Sequence, residues 1–432
     1  MATVCMIGHP APGHINPTLP VIAELVRRGE RAFYFATEPF RDKIEQAGAV
    51  FRSFGDHSLF ERNLAHGGIL GGMSGLMESA EAVLPALIQQ VEHDAPDYLL
   101  VEAHALWGNL LVQILELPAI TLCSMFAMND KLISVERLAA HLYASAESTC
   151  EGLLELNRYF GIARRVDRRY GTRSPGVIDY LGNAQELNIV FTSRGFQIGA
   201  EAFGANYRFV GPTSGIRMEG AGAASDFDLS ALHAPVILIA MGTMYNEEIA
   251  LYKACFEAFE DSPWQIVMSV GHRIDLLALG AIPANFLVLR YVPQLDVLAR
   301  SALFITHGGI NSAHEAMLCG VPMVVLPAAA DHFVVAGQVE AVGAGVMLDR
   351  KQASAQLLRK RAERVLHDPI FREHSAKMGE ALRASGGASS AADEILDFIQ
   401  RKATSREANH VRTSAEIQEA PDNRAGWRAY RQ

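Results

Sequence analysis

A histidine-headed glycine turn with a carboxylate one helical turn beyond it stands in the second half of the chain. In this stretch Ala302–Thr306 is a short apolar run that fits a strand buried on both faces. His307-Gly308-Gly309 breaks the run, and Asn311 and Ser312 stand where a helix would begin. Glycines let backbone approach a ligand closely, and the free N–H groups and positive dipole end of a helix start suit a phosphate. Glu315, one turn in, can accept hydrogen bonds from a diol. A second buried run, Met323–Leu326, ends at Pro327, and Asp331-His332 follows in the next loop. Polar groups at two successive strand ends would converge on one crevice. Far upstream, His14 sits in Gly13-His14-Ile15-Asn16-Pro17, in the loop after the first apolar run. An imidazole there can take a proton near neutral pH. Each of these residues alone has a plainer reading, as a turn former or a helix cap.

The stretch from Tyr291 to His332 as a whole resembles the donor-binding signature of family-one glycosyltransferases, which move sugars from nucleotide diphosphates onto small molecules. The matching residues are Tyr291, Pro293 and Gln294 around the variable Val292; His307, Gly309, Asn311 and Ser312; Glu315; and Asp331 with His332. The resemblance implies an α/β chain of the GT-B kind. Two Rossmann-like domains with parallel sheets face each other across a donor cleft, and a last helix returns to the first domain. It also implies His14 as catalytic base, with an acidic partner near Trp107-Gly108. Glu102 stands there where the family has aspartate, one methylene longer, so it must fold back or displace His14 slightly. His104 lies close by in sequence. On the donor side the resemblance implies that His307, Ser312 and the backbone around Asn311 meet the diphosphate. Thr243 matches a phosphate-touching position, Tyr291 stacks on the base where most relatives carry tryptophan, Gln294 and Glu315 hold ribose, and Asp331 holds sugar hydroxyls. Relatives using glucose commonly carry glutamine where this chain has His332. Arg273 is a weaker phosphate candidate.

Length and composition agree with this. A chain of 432 residues, half of them hydrophobic, suggests two or three domains with large cores. A net charge of −10 argues against nucleic acid or an anionic membrane as partner. Cys5, Cys123, Cys150, Cys255 and Cys319 have no CxxC spacing, which fits reduced cytoplasmic thiols and no zinc site. No basic leader precedes the first strand and no apolar run reaches the ~18–20 residues of a membrane span. A cytoplasmic monomer or homodimer without cofactor or metal is expected.

Along the chain, strands are expected at Thr3–Gly8, Arg31–Ala36, Ala49–Phe54, Tyr98–Glu102, Leu187–Thr192 and Tyr207–Val210. Helices are expected at Leu19–Arg28, Ser79–His93 and Leu106–Glu116, and Gly67–Gly75 reads as a mobile loop. Alternating strands and helices imply parallel sheets. The domains expected are 1–212, a linker at 213–234, 235–385, a returning helix at 386–403 and a polar, frayed tail at 404–432. The second half offers strands Val236–Ala240 and Gln265–Val270, then helices Ser354–His367 and Phe371–Ala384. Phe60, Met73, Met77, Trp107, Met125 and Phe126 fall in or beside loops at one edge of the first sheet. Singly each reads as core, but together they suit a loose apolar acceptor pocket.

The reading is an inverting, metal-independent transfer of a hexose, in the first instance glucose, from a UDP-sugar to a lipophilic acceptor hydroxyl such as that of a polyketide, macrolide or phenol. The alternatives are a TDP-deoxysugar transferase of antibiotic biosynthesis and a non-catalytic nucleotide-sugar-binding partner. A dinucleotide oxidoreductase is weaker, because the first loop lacks the G-x-G-x-x-G spacing.

Overall fold

A computed structural model describes residues 1–64, 68–132, 149–176, 182–213, 228–233, 235–242 and 246–418. The first half carries strands β1 Thr3–Ile7, β2 Arg31–Ala36, β3 Val50–Ser53, β4 Tyr98–Glu102, β5 Ala119–Cys123, β6 Leu187–Val190 and β7 Tyr207–Phe209. Its helices are α1 Pro12–Arg27, α2 Arg41–Gln46, α3 His57–Leu64, α4 Gly68–Asp94, α5 Leu106–Leu115 and α6 Thr149–Tyr170. The second half carries β8 Val236–Ala240, β9 Gln265–Ser269, β10 Phe286–Leu289, β11 Ser301–Thr306, β12 Met323–Val325 and β13 Gly345–Met347. Its helices are α7 Ile249–Phe259, α8 Gln294–Leu298, α9 Ile310–Leu318, α10 Ala330–Ala341, α11 Ala355–His367, α12 Pro369–Ala384 and α13 Gly387–Gln418.

The strands form two sheets, ordered β3-β2-β1-β4-β5-β6-β7 and β10-β9-β8-β11-β12-β13. Every pairing is parallel. Parallel strands buried on both faces must be apolar throughout. The period of two then sends Cys5, Ile7, Leu99 and Val101 to one core and Val4, Met6, Tyr98 and Leu100 to the opposite one. In the first sheet the order reverses between β1 and β4, and in the second between β8 and β11. At such switch points the connections leave in opposite directions and open a crevice at the carboxyl ends of the strands.

Several elements depart from the sequence expectation. Helix α1 begins at Pro12, so His14 lies in its first turn and not in a loop. Proline at the helix start loses no hydrogen bond. The glycine-rich stretch expected to be a mobile loop is helical from Gly68 onward. Met73, Leu76 and Met77 are buried there, and this burial outweighs the helix cost of glycine. Asp331 and His332 sit in the first turn of α10 rather than in a loop. The backbone of α13 stays helical to Gln418, beyond Thr404 where fraying was expected. Strands β5, β10 and β13 were not anticipated. The expected linker falls largely at 214–227, outside the described residues.

Helix α13 inserts Ala391, Ala392, Ile395 and Phe398 into the core that also holds Ile15, Leu19, Ile22 and Leu25 of α1. Arg28 ties the two helices through Asp393. In the second domain α12 lies against α9 so closely that a methyl group at Gly379 would come within 2.0 Å of the Met317 carbonyl oxygen. Backbone cannot yield as a side-chain tip would. Gly379→Ala is therefore expected to cost about 1–3 kcal/mol, read as a lowered urea midpoint; an unchanged midpoint would mean that α9 and α12 separate freely.

Candidate active site

His14 enters at the first switch point. Ile7 of β1 is in register with Val101 of β4, so the turn after β1 lies beside Glu102, the last residue of β4. His14 Nδ1 is 2.8 Å from Glu102 Oε1. A carboxylate only accepts, so Nδ1 carries the proton and Nε2 keeps its lone pair for a substrate. Ser124, just after β5, donates to the same Oε1 at 2.6 Å and lies 2.9 Å from His14 Nδ1. The backbone N–H of His104 donates to Oε2 at 2.7 Å.

Glu102 is completely buried. Burial alone would push its carboxyl up, but the facing His14 and His104 outweigh that and hold it well below the ordinary carboxylate range. The same pairing acts on His104. Burial opposes its charge, yet Glu102, and beyond it Asp331 from the second domain, raise it above the usual imidazole value. His9 packs edge-on to His14 at 4.5 Å and stacks on Trp107 at 5.9 Å. Burial, then His14, keeps His9 neutral. Ser124 and His9 were not singled out from sequence. Only their places after β5 and β1 could have signalled them.

The second cluster forms at the β8/β11 switch point. His307 follows β11, whose Thr306 is in register with Ala240 of β8, and it hydrogen-bonds the Ala240 backbone. Gly242, at φ +77°, and Gly309 clasp the ring, because a methyl group at either would approach His307 Nε2 to 2.6 Å. Burial, then His332, pushes His307 down to about 3. His307 is therefore a neutral hydrogen-bonding group, and positive potential for an anion comes from the start of α9. His332 packs edge-on to His307 at 4.7 Å, with Asp331 3.6 Å from its Nε2. Arg350, another residue the sequence did not flag, pairs with Glu248 at 3.0 Å and adds positive field at both histidines.

Gln294 Nε2 donates to Glu315 Oε2 at 2.7 Å and to Ser312 Oγ at 3.2 Å, so these three expected residues form one network. Tyr291 is 39% exposed, as a stacking platform must be, while Val292 is buried in the core. Thr243 lies outside the described residues. Arg273 is exposed and paired with Glu247. The Asp-x-Asp spacing at Asp226–Asp228 has Asp226 outside the described residues, and Asp228 caps the turn Leu229–Ala231.

The two clusters are joined directly. Pro17 has no N–H to offer the Gly13 carbonyl, and Asn311 Nδ2 from the second domain donates to it at 3.0 Å. The start of α9 is thereby fastened to the residue preceding His14.

The expected acceptor residues are largely packed inward. Phe60, Met73, Met77 and Trp107 belong to the first core, with Phe60 and Trp107 in ring contact at 5.1 Å. Met73 and Met77 lie on α4 and not in a loop. Phe126 and Met125 pack with Phe196 in the second domain's core. Their ring stack nonetheless reaches the relay, running from Phe60 through Trp107 to His9.

With this geometry in place, the comparisons define the class. Residues 261–396 match the family described as Erythromycin biosynthesis protein CIII-like, C-terminal domain. The chain is 34% identical to the Bacillus subtilis protein named uncharacterized UDP-glucosyltransferase YojK, over 94% of this chain and all of that one. It is 33% identical to the NDP-glycosyltransferase YjiC of the same organism, over 93% and 98%. Its fold is similar to the crystal structure of the glycotransferase of kitacinnamycin, with TM-score 0.78 and 27% identity over 91% of this chain and 98% of that one. The chain belongs to the family-one natural-product glycosyltransferases of the GT-B fold. Among the described residues no helix is long and apolar enough to cross a membrane.

The charge pattern at Glu102 carries a stability signature. Its carboxyl is depressed below its ordinary 4.5, so its contribution is present above 4.5 and lost as pH falls through the folded value. His104 is raised above 6.5, so its contribution is present below 6.5 and lost as pH rises through the folded value. Glu102→Gln removes both. Its urea midpoint should therefore vary less with pH than wild type's, both below 4.5 and above 6.5; parallel curves would show that the ion cluster does not contribute.

Proposed function

We propose that this protein transfers a hexose, glucose in the first instance, from a UDP-sugar to a hydroxyl of a small lipophilic acceptor, with inversion and without a metal cofactor. The observation that carries the reading is the His14–Glu102 relay fastened through Gly13 to the helix start that follows His307. The acceptor O–H gives its proton to His14 Nε2 as its oxygen attacks the anomeric carbon. The imidazolium that forms is stabilised by Glu102. The bond to the diphosphate breaks on the opposite face, so one displacement inverts the centre. The departing UDP carries its charge toward the N–H groups at the start of α9 and the His307 ring.

Tyr291 offers a flat face to the base. Gln294, Glu315 and Ser312 present a linked set of polar groups for ribose and phosphate. Asp331 is the acid that would hold sugar hydroxyls, and its charge acts on His104. The names of the Bacillus relatives support a nucleotide-sugar donor. The alternative of a TDP-deoxysugar donor draws on His332, which stands where glucose users carry glutamine.

Calorimetry with UDP-glucose and dTDP-glucose in chelator separates the donors. Preferential uridine-sugar binding that falls at least about tenfold in His307→Ala is expected. His14→Ala should leave donor binding intact while lowering turnover of a phenolic or macrolide acceptor about 10²–10⁴-fold. Tighter dTDP-sugar binding would favour the alternative donor, and binding of neither would remove the nucleotide-sugar assignment.

A further inference from the structure

Glu102 faces two imidazoles, and the relay described above uses only one of them. His14 Nδ1 lies 2.8 Å and His104 Nδ1 3.5 Å from the same Glu102 Oε1. The three ligand-type atoms fall within 4.8 Å of one another. His104 Nδ1 is buried, and its contact with the carboxylate oxygen is a long one at 3.5 Å. Zinc bonds to imidazole nitrogen and carboxylate oxygen at about 2.0–2.2 Å, so neighbouring ligand atoms around it stand about 3.3 Å apart. The observed 2.8 and 3.5 Å straddle that spacing. Two imidazoles and a carboxylate are also a donor set that suits zinc over magnesium or calcium. Glu102 Oε2 stays bonded to the His104 backbone N–H and would orient the carboxylate from behind. The ion would replace the hydrogen bond between His14 Nδ1 and Oε1, and Ser124 Oγ, now 2.6 Å from Oε1 and 2.9 Å from Nδ1, must turn away.

We propose that His14, Glu102 and His104 form a site for a divalent transition-metal ion, zinc by preference, whose occupancy silences the base. The reason is tautomeric. A metal bound at His14 Nδ1 takes the lone pair there, so the ring's single proton must move from Nδ1 to Nε2 for the imidazole to stay neutral. The lone pair that would accept the acceptor's proton is then gone. The metal in this role is an inhibitor and no part of glycosyl transfer.

Binding can be measured without any sugar substrate, so the site stands or falls independently of the proposed reaction. The full-length protein titrated with Co²⁺ should develop the intense visible bands of a four- or five-coordinate ion at one equivalent, and Zn²⁺ should abolish them. His104→Gln and, separately, Glu102→Gln should each lose the bands and weaken Zn²⁺, measured against a chelating dye, by about a hundredfold or more. Unchanged circular dichroism would show that each variant is folded. In the turnover assay, Zn²⁺ should stop the wild type reversibly to chelator while calorimetric binding of UDP is unchanged. Only the weak spectrum of hydrated Co²⁺, bands that persist in both variants, or full turnover with the site occupied would each overturn the proposal.

Discussion

A carboxylate sealed from water at the end of β4 is the constraint on which the first domain's chemistry depends. Removing a carboxylate from water costs several kcal/mol unless donors replace its hydration. Glu102 recovers that cost from three directions: the His14 ring, the Ser124 hydroxyl and the His104 backbone N–H. Each donor comes from a different strand end, after β1, β5 and β4. The parallel register of β1, β4 and β5 is therefore what makes the buried charge tolerable. The charge in turn fixes the His14 tautomer. Sheet order, burial and proton position are one problem with one solution.

The second domain repeats the logic with a neutral group. His307 also sits at a strand switch, but two glycines close around its ring and burial keeps it uncharged. The domains meet where this helix start reaches the first domain. Asn311 bonds the Gly13 carbonyl, and His314 on the same helix bonds Thr192 at 2.9 Å in a buried contact. Helix α9 thus carries the Ser312 and Glu315 network and the domain ties of Asn311 and His314. Any shift of α9 relative to the first sheet would strain the turn bearing His14.

Much of this was legible in the sequence because it rests on local patterns. Val236–Ala240 and Ala302–Thr306 are apolar runs each followed by a glycine two residues on, and they became β8 and most of β11. What was illegible depended on tertiary packing. The glycine-rich start of α4 reads as a breaker by local propensity, yet Met73, Leu76 and Met77 find a core that holds it helical. Short strands such as β13, Gly345–Met347, carry too few residues to show a period. Ser124, His9 and Arg350 belong to no motif, and only strand order brings them to the histidines.

Glutamate in place of the aspartate implied by family resemblance shows how a local departure is absorbed. The extra methylene could have pushed His14 outward. Instead the carboxylate turns back on its own chain, with Oε2 taking the N–H two residues on and Oε1 left for Ser124 and His14. The strand that carries it, β4, is held between β1 and β5. The same reach brings Oε1 within 3.5 Å of His104, so the residue that preserves the relay also creates the second imidazole contact. The glutamate keeps His14 at hydrogen-bond distance and changes its electrostatic neighbourhood. Glu102, and beyond it Asp331, raise His104 above the usual imidazole value.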